Sequence, residues 1–282
     1  MPELPEVETT CRGIAKALTG KRIAQVLQRR LDLRLPFPKN LAERLKNRKI
    51  LSVHRRAKYI LIELDKAEHL LIHLGMSGRM VFEHAPHIKI NKHDHLIFYF
   101  DARKKFCLKF NDPRRFGLCD LIPSKQLNSH KLLKHLGVEP LENDLTTSYL
   151  ADCFKGKKTS IKTALLDQRI ISGLGNIYVC EALFHAGINP KRRAGACSPA
   201  QLSKLVPAIR KILNAAIKAG GSSLRDYVQS DGNLGFFQNH FAVYDREGTV
   251  CPKCRKSRQK TGCVLRITQG GRSSFYCVRT QK

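Results

Sequence analysis

Acidic residues are scarce in this sequence. Against 51 Lys and Arg there are only 23 Asp and Glu in 282 residues, a formal charge of +28. That imbalance points to a polyanionic partner, with nucleic acid as the first candidate. Long apolar runs are missing as well: nothing approaches the ~20 residues of a membrane span, so no membrane association is expected. Pro2-Glu3-Leu4-Pro5-Glu6 is acidic and lacks an apolar core, so no secretory signal is expected. The expected location is therefore cytoplasmic, nucleoid-associated if bacterial. Internal repeats and low-complexity linkers are absent. At 42% hydrophobic and 26% charged, the composition is that of a globular protein, long enough for two domains with real cores.

Cysteine is not scarce but unevenly placed. Six of the ten are scattered, while Cys251, Cys254, Cys263 and Cys277 fall in the last 32 residues. Clustered cysteines in a cytosolic chain read as metal ligands rather than disulfides. Cys251-Pro252-Lys253-Cys254 is a clear first knuckle. A zinc ribbon would offer a second Cys-x-x-Cys, but here that place reads Cys277-Val278-Arg279-Thr280. Either Cys263 supplies the fourth sulfur, or the site binds zinc weakly or not at all and the hairpin stands by itself. Ten Lys and Arg against two acids from Val243 onward turn this module toward the polyanion.

Val7, Cys11, Ile14 and Leu18 recur at helical spacing, predicting a helix over 5–19 ended by Gly20. From Arg22 to about Leu121 short alternating runs follow: 23–27, 50–54, 59–64, 69–74, 80–83, 96–100, 106–110 and 117–121. Turns rich in Gly, Pro, Asn and Asp separate them, which predicts a β-sandwich. Leu136-Gly137-Val138-Glu139-Pro140 breaks the pattern and marks the domain boundary, and helices follow. Thr159 to Pro190 reads as helix, turn, helix, with Asn176 capping the second helix behind Gly173 and Gly175. Such a start suits phosphate, and Lys155, Lys157, Lys158 and Lys162 upstream add to that reading. The clearest helix begins at Ser198, with Pro199 at its first position and Gln201 completing a capping box; Pro207 inside it predicts a kink. The fold class is α+β: an N-terminal β-sandwich with flanking helices, then a helical domain and a β-hairpin zinc-finger-like module. The expected domains are 1–138, 139–242 and 243–282.

Several stretches carry chemistry. If Met1 is removed, Pro2 presents a secondary α-amine. Such amines titrate near ~7.7–8, against ~10.4 for lysine, so part of the population is nucleophilic at neutral pH. Glu3 lies beside it, placed for proton transfer. Taken alone, the same stretch also reads as an ordinary helix start. Arg55-Arg56-Ala57-Lys58-Tyr59 is a basic turn, either solvated or in contact with phosphate. In His73-Leu74-Gly75-Met76-Ser77-Gly78, Met76 is either a wedge into a base stack or a filler of a core gap. In Asn111-Asp112-Pro113-Arg114-Arg115-Phe116-Gly117, Arg114 and Phe116 either engage bases or form a turn with a buried Phe. Gly220 to Phe237 is rich in Gly, Ser, Asp and Asn and reads as a mobile loop, either lining a site or merely surface. Arg272, after Gly270-Gly271, falls at a hairpin turn.

Together these pieces are specific. The chain resembles the bacterial formamidopyrimidine-DNA glycosylases over its whole length, through MPELPEVET, RRAKY, HLGMSG, KHDH, NDPRRFG, GLGNIY, QSDGNLGFF and the cysteine hairpin, in that order. The resemblance implies a bifunctional glycosylase/AP lyase acting on oxidised purines in double-stranded DNA, as a monomer. It implies Pro2 as the Schiff-base nucleophile, Glu3 as acid/base at the sugar, Lys58 for β-elimination and Arg272 for δ-elimination. It also implies DNA contacts at His73, His93, Arg114, Lys157 and Asn176, and gap filling by Met76, Arg114 and Phe116. A lesion loop with Ser222, Tyr227, Gly232 and Phe236 is implied too. One structural zinc is implied, with no catalytic metal or organic cofactor; Thr280 stands where the family has its fourth zinc cysteine. The rival readings are an endonuclease VIII-type enzyme for oxidised pyrimidines and a catalytically silent DNA-binding protein.

Overall fold

The computed structural model describes residues 2–223, 227–258 and 261–282. Met1, whose removal is expected, and Leu224-Arg225-Asp226 of the glycine-rich loop lie outside the described residues. The chain divides into two compact units. One comprises Met1–Lys134 with Ile217–Gln238, the other His135–Ala216 with Asn239–Lys282. The glycine-rich loop thus belongs to the first unit, although its sequence position is with the second.

The first unit opens with helix α1 (Leu4–Leu18), which has Glu3 at its N-cap in a capping box with Glu6. The remaining elements are β1 (Gln25–Gln28), the short α2 (Leu41–Leu45), β2 (Ile50–Arg56), β3 (Tyr59–Leu64), β4 (Glu68–His73), β5 (Arg79–His84), β6 (Asp94–Tyr99), β7 (Phe106–Asn111) and β8 (Leu118–Pro123). All eight expected strands are present. They form two antiparallel four-stranded sheets, ordered β1-β6-β7-β5 and β2-β3-β4-β8. The sandwich core follows from alternation along the strands: Ile60, Ile62 and Leu64, Leu70 and Ile72, Leu96 and Phe98, and Leu108 and Phe110 all point into it. Val7, Cys11, Ile14 and Leu18 of α1 pack into the same cluster. Two ties fix the helix against β2. Arg55 Nε donates to Glu8 Oε2 at 2.9 Å and Cys11 Sγ donates to the His54 carbonyl at 3.4 Å.

The second unit carries α3 (Thr147–Phe154), α4 (Ile161–Leu165), α5 (Asn176–Ala186), most of α6 (Pro199–Lys218), α7 (Pro252–Lys256) and the hairpin β9 (Val264–Gln269) and β10 (Arg272–Cys277). The Ser198–Gln201 capping box forms in both directions, at 3.1 and 3.2 Å. Pro207 lies within α6. One expectation is corrected: Asn176 does not cap α5. Gly175 occupies the N-cap and Asn176 is the first helical residue, its side chain turned elsewhere.

Candidate nucleic-acid and catalytic site

In the first unit, Pro2 and Glu3 are buried at the start of α1. Glu3 is therefore part of the helix start rather than ahead of it. The tight turn between β2 and β3 consists of Ala57 and Lys58, flanked by the Arg56–Tyr59 pair. Ala57 adopts φ 53°, a left-handed conformation that costs a non-glycine residue about 1 kcal/mol. Lys58, at the turn's second position, is only 8% exposed, which rules out a solvated turn lysine. Arg55 is spent internally on Glu8, with its side chain buried, so the basic run is not uniformly available to phosphate.

His73 ends β4 opposite Tyr59, the two rings 4.9 Å apart. Burial, and then the nearby charges of Lys58 and Arg34, push the imidazole down to about 4. It is therefore neutral at physiological pH. Its Nδ1 accepts from the Gly75 N–H at 3.0 Å, so the neutral ring carries its proton on Nε2.

The two wedge-candidate loops are built against each other. Gly75 has φ +64°, and a Cβ there would lie 2.4 Å from the Phe116 carbonyl carbon, so only glycine permits the approach. Ser77 Oγ donates to Asp112 Oδ1 at 2.7 Å and accepts from the Arg114 N–H at 3.2 Å; Gly117 N–H donates to Asp112 Oδ2 at 2.8 Å. Asp112 is thus the internal fastener of both loops. Met76 is 38% and Phe116 45% exposed, and the Arg114 guanidinium lies 4.8 Å from the Phe116 ring centroid. Neither apolar side chain fills the core. The loop bearing His93 joins the same assembly through the Asp112 N–H bond to the His93 carbonyl, 3.0 Å. It is anchored by buried Asp94, whose carboxylate accepts from Asn111 Nδ2, Lys109 Nζ and Asn91 N–H at 2.7, 3.2 and 2.8 Å.

The glycine-rich loop is tied to α1 through Ser222 and Tyr227. Ser222 N–H and Oγ donate to Glu6 Oε1 at 2.8 and 3.1 Å, and Tyr227 OH to the Glu6 carbonyl at 3.2 Å. Gly232, with φ +87°, has open space around it, and Phe236 is 59% exposed.

In the second unit, Asn176 Nδ2 donates to the Ser273 carbonyl at 2.9 Å, next to Arg272 on the hairpin. Lys162, read in sequence as part of a phosphate-binding run, is fully buried. Its Nζ donates to the Ser273 carbonyl at 2.8 Å and to Ser274 Oγ at 2.7 Å. It supports the hairpin from beneath. Lys157 is half-buried on the loop after α3, where its N–H donates to the Phe154 carbonyl at 2.9 Å and its own carbonyl accepts from Gly195. Gly270 and Gly271, at φ 55° and 71°, form the two-residue turn, and exposed Arg272 is the first residue beyond it. Sequence reasoning missed Glu181. This buried carboxylate accepts the N–H groups of Ala242, Val243 and Tyr244 at 2.8–3.0 Å and so fixes the segment leading to the hairpin.

The four clustered cysteines converge. Their sulfurs all lie within 4.8 Å of one another, every one buried and none in a disulfide. Tetrahedral zinc with Zn–S of ~2.3 Å needs sulfurs ~3.8 Å apart, and the Cys254–Cys277 separation is 3.6 Å. The Cys251 N–H donates to Cys263 Sγ at 3.1 Å and the Cys254 N–H to Cys251 Sγ at 3.4 Å, as suits thiolate ligands. Strand register explains Cys263. Val264 pairs with Cys277, so the preceding residue falls beside the end of β10, and its carbonyl accepts from the Val278 N–H. The set fits one structural zinc held by Cys251, Cys254, Cys263 and Cys277, with Thr280 outside it. Four protein ligands leave no open position for catalysis.

Known proteins match along the whole chain. Residues 1–119 fit the formamidopyrimidine-DNA glycosylase N-terminal domain, and residues 136–228 the formamidopyrimidine-DNA glycosylase H2TH domain. Formamidopyrimidine-DNA glycosylases of Ruegeria sp. strain TM1040 and Ruegeria pomeroyi are 53% and 52% identical, with both chains covered completely. Among solved structures, a Lactococcus lactis FPG point mutant in complex with DNA containing Fapy-dG superposes with a TM-score of 0.89, at 31% identity over 100% of both chains. The MutM (FPG) protein of Thermus thermophilus gives 0.85, at 34% identity over 99% of this chain and 98% of that one. Fold and site thus define a DNA glycosylase of the helix–two-turn–helix class. Within that class, the chain belongs to the formamidopyrimidine-DNA glycosylase family.

Proposed function

We propose that the chain is a bifunctional DNA glycosylase/AP lyase that removes oxidised purines, 8-oxoguanine and formamidopyrimidines, from double-stranded DNA. The observation that carries this reading is the full-length match to curated relatives of that name at about half identity. Solved neighbours bound to Fapy-dG-containing and abasic-site DNA support the choice of ligand.

A damaged base inside a duplex must be extruded before chemistry, which costs a few kcal/mol. Met76, Arg114 and Phe116, two of them apolar and exposed, fill the vacated gap. Pro2, freed of Met1, attacks C1′ of the sugar as the glycosidic bond breaks and the base leaves with a proton; the amine then gives up its own proton and the ring bond from C1′ to O4′ opens, Glu3 delivering a proton to O4′. The resulting iminium stays cationic and acts as an electron sink. Lys58, buried beside a neutral His73, serves β-elimination, and Arg272 serves δ-elimination on the other side of the abasic sugar. The Nε2–H of His73, together with His93, Arg114, Lys157 and Asn176, contacts the DNA backbone and bases. Ser222, Tyr227, Gly232 and Phe236 belong to the loop that covers the lesion. Functionally, 1–138 carries the catalysis, 139–242 grips DNA and contributes the lesion loop, and 243–282 presents Arg272. Zinc, when bound, supplies rigidity to that hairpin and takes no part in the chemistry. A cytoplasmic, nucleoid-associated location follows from this role; among the described residues no helix is long and apolar enough to cross a membrane.

Parallel assays on duplexes carrying 8-oxoguanine opposite cytosine and thymine glycol test the substrate assignment. Faster release of 8-oxoguanine is expected. Faster cleavage at thymine glycol would assign the chain to oxidised pyrimidines instead.

A further inference from the structure

Glu6 has a place that helix capping explains only for one of its two oxygens, and the assigned chemistry not at all. An acid in the first turn of a helix is ordinarily satisfied by the dipole and solvent. Glu6 is 2% exposed, and both of its oxygens are committed. Oε2 accepts the Glu3 N–H at 2.9 Å. Oε1 accepts the N–H and Oγ of Ser222, 216 residues farther along, at 2.8 and 3.1 Å. The approach is close enough to constrain the chain. Gly221 sits at φ +82°, and a Cβ there would lie 3.1 Å from Glu6 Cγ and Oε1. The loop then follows the same helix. Tyr227 OH donates to the Glu6 carbonyl, and a Cβ on Gly13 would lie 2.0 Å from Ser230 Oγ.

We propose that Glu6 is a positioning residue, a carboxylate latch that joins the catalytic turn at Glu3 to the root of the lesion loop at Ser222. Seating of the loop over a damaged base and placement of the helix start that carries Pro2 and Glu3 then become one event. The inference rests on the reading of 217–238 as the loop that covers the lesion. It makes a distinction that a merely structural acid would not. Base release needs the loop, whereas strand cleavage at a preformed abasic site has no base for the loop to cover.

The test compares wild type, Glu6→Gln and Tyr227→Phe in single-turnover assays on an 8-oxoguanine duplex and on the same duplex with a preformed abasic site. Amide hydrogen exchange over 217–223 and 227–238 is measured alongside. In Glu6→Gln the amide NH2 must face either the Glu3 or the Ser222 N–H, so one charge-assisted side of the latch is lost. Base release is expected to fall about 10-fold or more, abasic cleavage by less than about a third of that factor, with faster exchange at the loop root. Tyr227→Phe, which removes one hydroxyl, shows the same split on a smaller scale and serves should Glu6→Gln fold poorly. Equal losses on both substrates, or unchanged exchange at the loop root, would overturn the latch. A wild-type chain inactive on both duplexes would count against the functional reading instead, and the exchange comparison would still decide the latch.

Discussion

At the scale of single residues, the side chains that matter are those whose surroundings depart from their usual ones. His73 is the clearest case. With the native imidazole pushed down to about 4 and an ordinary value near 6.5 when unfolded, the unfolded chain binds more protons between those limits. Stability on this account is complete above pH ~6.5 and is lost as pH falls through that window, by on the order of 3 kcal/mol from this group. His73→Gln is expected to flatten the fall in melting temperature between pH 7 and 5; an unchanged pH slope would contradict the neutral, buried assignment. Lys58 and Met76 show what sequence leaves open. Each admits a bland reading, a solvated turn and a core filler, and which reading holds depends on burial that local pattern does not encode. Lys162 departs from its sequence reading for the same reason. Its partners, Ser273 and Ser274, lie 111 and 112 residues away, so a lysine inside a basic run gives no local sign that it is buried.

At the scale of elements, legibility follows periodicity. The eight strands and the long helices are readable because alternation of two and recurrence near 3.6 state which face is buried. The α6 capping box is readable because it spans three residues. The start of α5 shifts by one, since glycine and asparagine both suit an N-cap. The hairpin is the most informative element. Its register makes Cys263 a candidate ligand once the turn at Gly270-Gly271 is fixed, although sequence alone leaves two outcomes for the metal. Cys263→Ser is expected to reduce bound zinc from about one per chain to a small fraction and to lower the melting temperature, whereas Thr280→Val keeps zinc near one. Metal analysis of both variants checks this; retained zinc in Cys263→Ser would remove that residue from the ligand set. The ties between the glycine-rich loop and α1 are illegible in sequence, because they join residues more than two hundred positions apart.

For the whole molecule, charge and ordered motifs carry the assignment. A +28 chain is drawn to DNA mainly through phosphates, whose neutralisation releases counterions. Non-specific duplex binding is expected to weaken about 10³-fold between 50 and 200 mM salt for roughly six phosphate contacts. Fluorescence anisotropy titrations would show this, and a flat response would contradict a backbone grip. The central claim, however, concerns a covalent bond at Pro2. Borohydride reduction during turnover of an 8-oxoguanine duplex measures it directly. The account predicts a trapped protein–DNA adduct whose cross-linked peptide begins at Pro2, and its loss when Met1 or a tag is retained ahead of that residue. An adduct that maps elsewhere, or one that persists with the amine blocked, would contradict it.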